Sequence, residues 1–168
     1  MTPEEYFFRY AFPCTELRYF SGKISKETFE KIKEYARKAQ TPPREILMKA
    51  YEGAFRRITQ RMNVSGEAIW DIKVFREYFL KVHSQSLDEG DIDDATKRAF
   101  PEKSQLETFI DICKVHTAVI EGSVQKDGMT LLEVRYGAKR RKVLNYYNLP
   151  VSKGDSVTIH YGIAVEQV

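Results

Sequence analysis

The period of the apolar pattern changes near Cys113, and that change excludes a single uniform architecture for the chain. Upstream, apolar residues recur three and four apart, the spacing of one helix face. Downstream they come in short β-branched runs, and five of the nine glycines fall in the last 56 residues. Runs of that kind between glycine turns are strands. The expectation is an α+β chain: a helical bundle over about 1–112, then a small β-barrel over about 113–168.

Thr2-Pro3-Glu4-Glu5 reads as a helix start with a capping hydroxyl, a first-turn proline and a glutamate three residues after the cap. Pro13 should end that helix. Ser25 caps a second helix, with Phe29, Ile32, Ala36 and Ala39 on one face. Thr41-Pro42-Pro43 stops it and opens a third, striped by Ile46, Leu47, Ala50, Ala54, Ile58 and Met62. Ser65 caps a fourth, striped by Ile69, Ile72, Phe75, Phe79 and Val82. Short turns between these helices imply antiparallel packing. Residues 86–94 read as an acidic loop and 92–99 as a short helix. Ser104-Gln105-Leu106-Glu107 is a capping box for a last helix with Leu106, Phe109, Ile110 and Cys113 on one face.

The expected strands are 115–124, 131–136, 142–144 and 156–163. Asp127-Gly128 suits the positive φ of a tight hairpin turn, and Gly137 and Lys153-Gly154-Asp155 mark two more turns. So few short strands should close into a barrel, because a small open sheet leaves its edges unprotected.

With 42% hydrophobic, 12% aromatic and 30% charged residues, the chain can build a core and is not of disordered composition. The net charge of +3 belongs to the barrel. From Cys113 onward eight basic residues face five acidic ones, and before it nineteen stand against nineteen. Two cysteines, Cys14 and Cys113, make no disulfide framework. The first residues are acidic and lack an apolar signal region, and no apolar run has membrane-spanning length. The reading is a cytoplasmic protein with reduced thiols. No glycine-rich phosphate loop, catalytic carboxylate pair or Ser-His-Asp arrangement is recognisable, so no enzyme class is favoured.

The segment Gly154-Asp155-Ser156-Val157-Thr158-Ile159-His160-Tyr161-Gly162-Ile163-Ala164-Val165-Glu166 resembles the Gly-Asp-x-Val-x-Val-His-x-Gly-Phe-Ala-Ile-Glu pattern of the HypC/HupF/HybG hydrogenase-maturation chaperones. Residues 132–143 are similar to that family's strand, glycine turn and basic strand, and Leu149-Pro150 falls in its loop. Cys113, ahead of Ala118-Val119-Ile120, is placed like the family's cysteine. The likeness covers about the last third of the chain. It departs in two places: the family's cysteine directly follows its initiator methionine, and Pro-Gly stands where this chain has Thr117-Ala118. The resemblance implies an OB-like barrel and a chaperone role without catalysis. It also implies a protein partner, a metalloenzyme precursor or a maturation scaffold, and no stably bound cofactor beyond iron in transit.

By this resemblance the partner-binding residues are Cys113, His160, Tyr161 and Gly162. Cys113 also reads as a small buried hydrophobe continuing the Leu106, Phe109 and Ile110 face, and His160 as an ordinary strand histidine. Cys113 and His116 form a Cys-x-x-His pair, half of a zinc-type ligand set, which Cys14 and His160 together would have to complete. Cys14 itself reads as structural. Lys139, Arg140, Arg141 and Lys142, with Tyr136, Tyr146 and Tyr147 nearby, make the alternative, a nucleic-acid-binding strand. The same cations also fit a solvated edge strand. The acidic run 88–94 lacks the alternate-position spacing of a calcium loop.

Overall fold

The computed structural model describes residues 1–92 and 94–168. The expected position Asp93 lies outside the described residues, and with it part of the acidic run. The chain divides into two compact units, Met1–Asp111 and Ile112–Val168.

The first unit is helical. Helix α1 (Pro3–Ala11) starts as the sequence reads: Thr2 Oγ1 accepts from the Glu5 amide, and the Glu5 carboxylate accepts from the Thr2 amide at 2.7 Å. Pro13 does end α1, but the chain turns through a tight helical turn at Phe12–Cys14 straight into α2 (Thr15–Phe20), which periodicity did not show. Ser25 caps α3 (Lys26–Arg37). The long third helix is two: α4 (Arg44–Ala50) and α5 (Glu52–Met62), broken at Tyr51 with φ −120° and ψ 34°. The break has a tertiary cause. The Tyr51 ring is drawn into the core, and its hydroxyl meets Thr15 Oγ1 at 2.6 Å. Burial pushes this phenol's pKa well above its ordinary range.

Asp71, not Ser65, caps the next α-helix, α6 (Ile72–Glu77), by accepting from the Lys73 amide at 2.7 Å. A π-helical turn, Tyr78–Val82, leads on into α7 (His83–Asp88). The expected loop at 86–94 therefore begins inside a helix. Ser86 is fully buried there because its hydroxyl donates back to the Val82 carbonyl at 2.8 Å. Helix α8 is Asp94–Ala99, and α9 is Lys103–Cys113. Helix α9 starts before Ser104, so Ser104 is helical rather than a cap.

The core of this unit gathers around α1. The Phe7 ring centroid lies 4.7 Å from Phe55, 4.9 Å from Phe75, 5.6 Å from Phe79 and 5.7 Å from Tyr51. Tyr10 stacks on Phe79 at 5.0 Å. Contacts at such distances add to the stabilisation from area burial. Among the described residues no helix is long and apolar enough to cross a membrane.

The second unit is a closed five-stranded barrel with strand order β1-β2-β3-β5-β4, an OB-like arrangement. Its strands are β1 (Val115–Lys126), β2 (Met129–Tyr136), β3 (Lys139–Leu144), β4 (Ser156–His160) and β5 (Ile163–Gln167). All pairings are antiparallel except β3 with β5, which meet through Leu144 and Ile163. Long β1 serves two neighbours. Residues 115–119 pair with β4 and 119–126 with β2, and a bulge between Ile120 and Gly122 lets the strand bend. Asp127 and Gly128, at φ 50° and 76°, turn β1 into β2 as the Asp-Gly pair requires.

One expected strand, 156–163, is two. Tyr161 and Gly162 take φ 58° and 146° and reverse the chain between β4 and β5. Ala118, Ile120, Leu132, Val134, Val143, Val157, Ile159 and Ala164 fill the barrel. The loop after β3 lays Leu149 and Val151 against that core. Asn145 fastens it, donating to the Leu149 carbonyl at 3.1 Å and accepting from the Leu149 amide at 2.8 Å.

Candidate functional site at the start of the barrel

The β1–β4 register places Val115 opposite His160. Just beyond that pair, the Tyr161 amide donates to the Ile112 carbonyl at 3.0 Å. The segment carrying Cys113 and the turn carrying Tyr161 and Gly162 are thus tied together by backbone. Gly162 closes the turn: its amide donates to the His160 carbonyl at 2.7 Å, and its carbonyl accepts from Leu144 at 2.8 Å. Residues widely separated in the chain are gathered at one end of the barrel because β1 and β4 are neighbours and antiparallel.

Exposure divides these residues. Cys113 is 3% exposed and His160 1%. Tyr161 and Gly162 are half-buried. His160 stands on the side of β4 shared with Thr158, opposite the core residues Val157 and Ile159. A thiol buried in this way is inert toward reagents and partners in the folded state. Tyr161 is the distinctive member. A bulky aromatic residue at φ 58° is an outlier held by its surroundings, and such strain gathers at functional positions.

His116 lies elsewhere. Its ring is 4.4 Å from that of Tyr136, which packs against the barrel core. Among the described residues no three His, Cys, Asp or Glu side chains come close enough together to hold a metal ion. Cys14 is half-buried in the helical unit.

The basic strand is split by the alternation of β3. Arg140 stands opposite Arg135, and both bind Glu121: Arg140 Nε is 2.7 Å from its carboxylate and Arg135 Nε 3.0 Å. These guanidiniums hold the Glu121 carboxyl below its usual range, the hydrogen bond from Arg140 contributing most. Lys142 pairs with Glu133 at 3.2 Å. Arg141 alternates to the side of Val134 and Val143, with its guanidinium 5.1 Å over the Tyr136 ring. Tyr146 and Tyr147 form an edge-on pair in the turn after β3. Arg140 and Lys142 therefore share one face with the carboxylates, while Arg141 and Lys139, the residue opposite Tyr136, alternate to the face of the Tyr136 ring.

Asn145 and Glu121 were not legible as site-shaping residues. Asn145 reads like any polar loop residue, and Glu121 acquires two arginines only through the bulge beside it. No family model, curated protein or solved structure matches the chain.

Proposed function

We propose that the barrel is a HypC-type docking module for a protein partner, a metalloenzyme precursor or a maturation scaffold, with hydrogenase-type iron as cargo in transit. The observation that supports it most is the backbone tie between the Cys113 segment and the Tyr161–Gly162 turn. The residues singled out by the resemblance converge there. In this reading the strained Tyr161 is the contact residue, and Cys113 and His160 hold the turn from beneath.

The outward side of β2 and β3 favours a protein over a polyanion. Its three cations alternate with Glu121 and Glu133, and Val124 and Met129 near the β1–β2 turn are exposed apolar side chains. Binding to single strands needs cations that track phosphates beside aromatic rings on which bases stack. Here Tyr136 is turned to the core side.

The test is a pull-down by the tagged full-length protein, with mass spectrometry and iron analysis of what is captured. Tyr161→Gly removes the ring and relieves the positive φ, so folding is retained. The reading requires a captured metalloenzyme precursor or maturation scaffold, lost in Tyr161→Gly. Capture that is indifferent to Tyr161, or of no such protein, overturns it.

A further inference from the structure

Gly53 is the second residue of α5, and its φ lies outside the left-handed region. Its backbone does not require glycine, and glycine is the poorest helix former after proline. What its missing side chain leaves is space. A Cβ there would stand 3.7 Å from Arg57 Nη1 and 3.9 Å from Arg18 Nη1. Two guanidiniums from different helices converge on this one point.

Arg57 Nε and Nη2 and Arg18 Nε are engaged. Arg57 Nε donates to Asp91 Oδ2 at 2.7 Å, and Arg57 Nη2 to the Asp91 carbonyl at 2.8 Å. Arg18 Nε donates to the Ala50 carbonyl at the end of α4. The Arg57 side chain is only 15% exposed. The titratable groups that act most strongly on Arg18 are Tyr51, Cys14, Tyr78 and Arg57, none of them a carboxylate. Among the described residues Arg18 has no acidic partner. Arg56 and Arg61 also approach Asp91, each at 3.8 Å, and Arg61 pairs with Glu89 at 2.5 Å. Three guanidiniums, those of Arg56, Arg57 and Arg61, thus share the two carboxylates of Asp91 and Glu89.

A half-buried guanidinium facing another cation has lost much of its hydration without gaining a counter-charge. Tyr78, which hydrogen-bonds Arg57, opens the π-helical turn. Turns of that kind occur often at functional sites.

We propose that Arg18 and Arg57, on either side of Gly53, bind an oxyanion of the phosphate class. The planar donor fork of arginine suits tetrahedral oxyanions, and two such groups aimed at one point match a dianion.

The test uses the full chain and inorganic phosphate, against sodium chloride and sodium acetate at equal ionic strength. Melting is followed by the fluorescence of Trp70, the one tryptophan, which lies in the helical unit. A bound ion raises the melting temperature with its concentration. Gly53→Ala adds a methyl at ordinary contact distance within a helix, so it melts no lower than wild type, yet it fills the site. Arg18→Gln retains a donor for the Ala50 carbonyl and loses the charge. The expected result is a phosphate-dependent rise in wild type and calorimetric binding weakened at least about tenfold in both variants. A flat wild-type response, an equal response in Gly53→Ala, or acetate matching phosphate overturns the proposal.

Discussion

Val115 and His160 face each other across β1 and β4, and this one pair sets which parts of the chain meet at the start of the barrel. It brings the Ile112 carbonyl to the Tyr161 amide and leaves Cys113 enclosed beside the turn. A one-residue slip of this register would exchange the two faces of β4.

Enclosure makes Cys113 unreactive. In the folded protein a thiol reagent should label half-buried Cys14 and spare Cys113, with both reacting after denaturation. Cys113→Ala should lower stability by about 1 kcal/mol through the lost packing. Equal native labelling of the two cysteines would contradict the burial of Cys113.

The Asn145 clasp can be tested independently of any partner. Asn145→Ala removes both hydrogen bonds to Leu149 and leaves half-buried backbone groups without them, at a cost of about 1 kcal/mol. Thermal melts of the barrel measure it. Asn145→Asp keeps one acceptor for the Leu149 amide and should cost less than alanine. An alanine variant as stable as wild type would show that the loop needs no clasp.

Alkaline stability should be governed by buried phenols. Burial raises the pKa of Tyr51 and of Tyr78 in the folded state. Their folded-state pKa values exceed the unfolded ones, so their contribution is complete below the unfolded tyrosine value of about 10 and is lost as pH rises above it. Melting temperature should therefore fall steeply above about pH 10. Tyr51→Phe should soften that fall while costing stability at neutral pH, where the hydroxyl's bond to Thr15 is lost. Ultraviolet titration of tyrosinate alongside the melts supplies the check.

Nucleic-acid binding by the basic strand should be weak and nonspecific. Arg140 and Lys142 already face carboxylates, and Arg141 lies over Tyr136. Gel shifts with a mixed single-stranded RNA should show binding only at low salt, decreasing further in Arg140→Ala with Arg141→Ala. Tight binding that survives at physiological salt would point to the basic strand rather than the turn as the functional surface.

Local chemistry is enough to place most elements. The Thr2 cap, Ser25 cap and Asp127-Gly128 turn act within a few residues, so short-range pattern reveals them, as it reveals the change of period at Cys113. Three features depended instead on structure that no local pattern marks. Tyr51 breaks a helix that its neighbours would have continued, because Thr15 and Phe7 hold its side chain. Ser86 is helical and buried because the helix carries on through the π-helical turn and accepts its hydroxyl. Tyr161 turns the chain where its sequence reads as strand, because closing the barrel requires β4 and β5 to pair antiparallel there.

The same division holds for the sites. From the sequence alone come the identities of Cys113, His160, Tyr161 and Gly162 and their kinship to one another. Their burial, and the tie between their segments, come from β-sheet register. Arg18 and Arg57 carry no sequence signal beyond the helical spacing of Gly53 and Arg57, since no local rule brings α2 against α5. Helix packing does that, setting two like charges around one glycine.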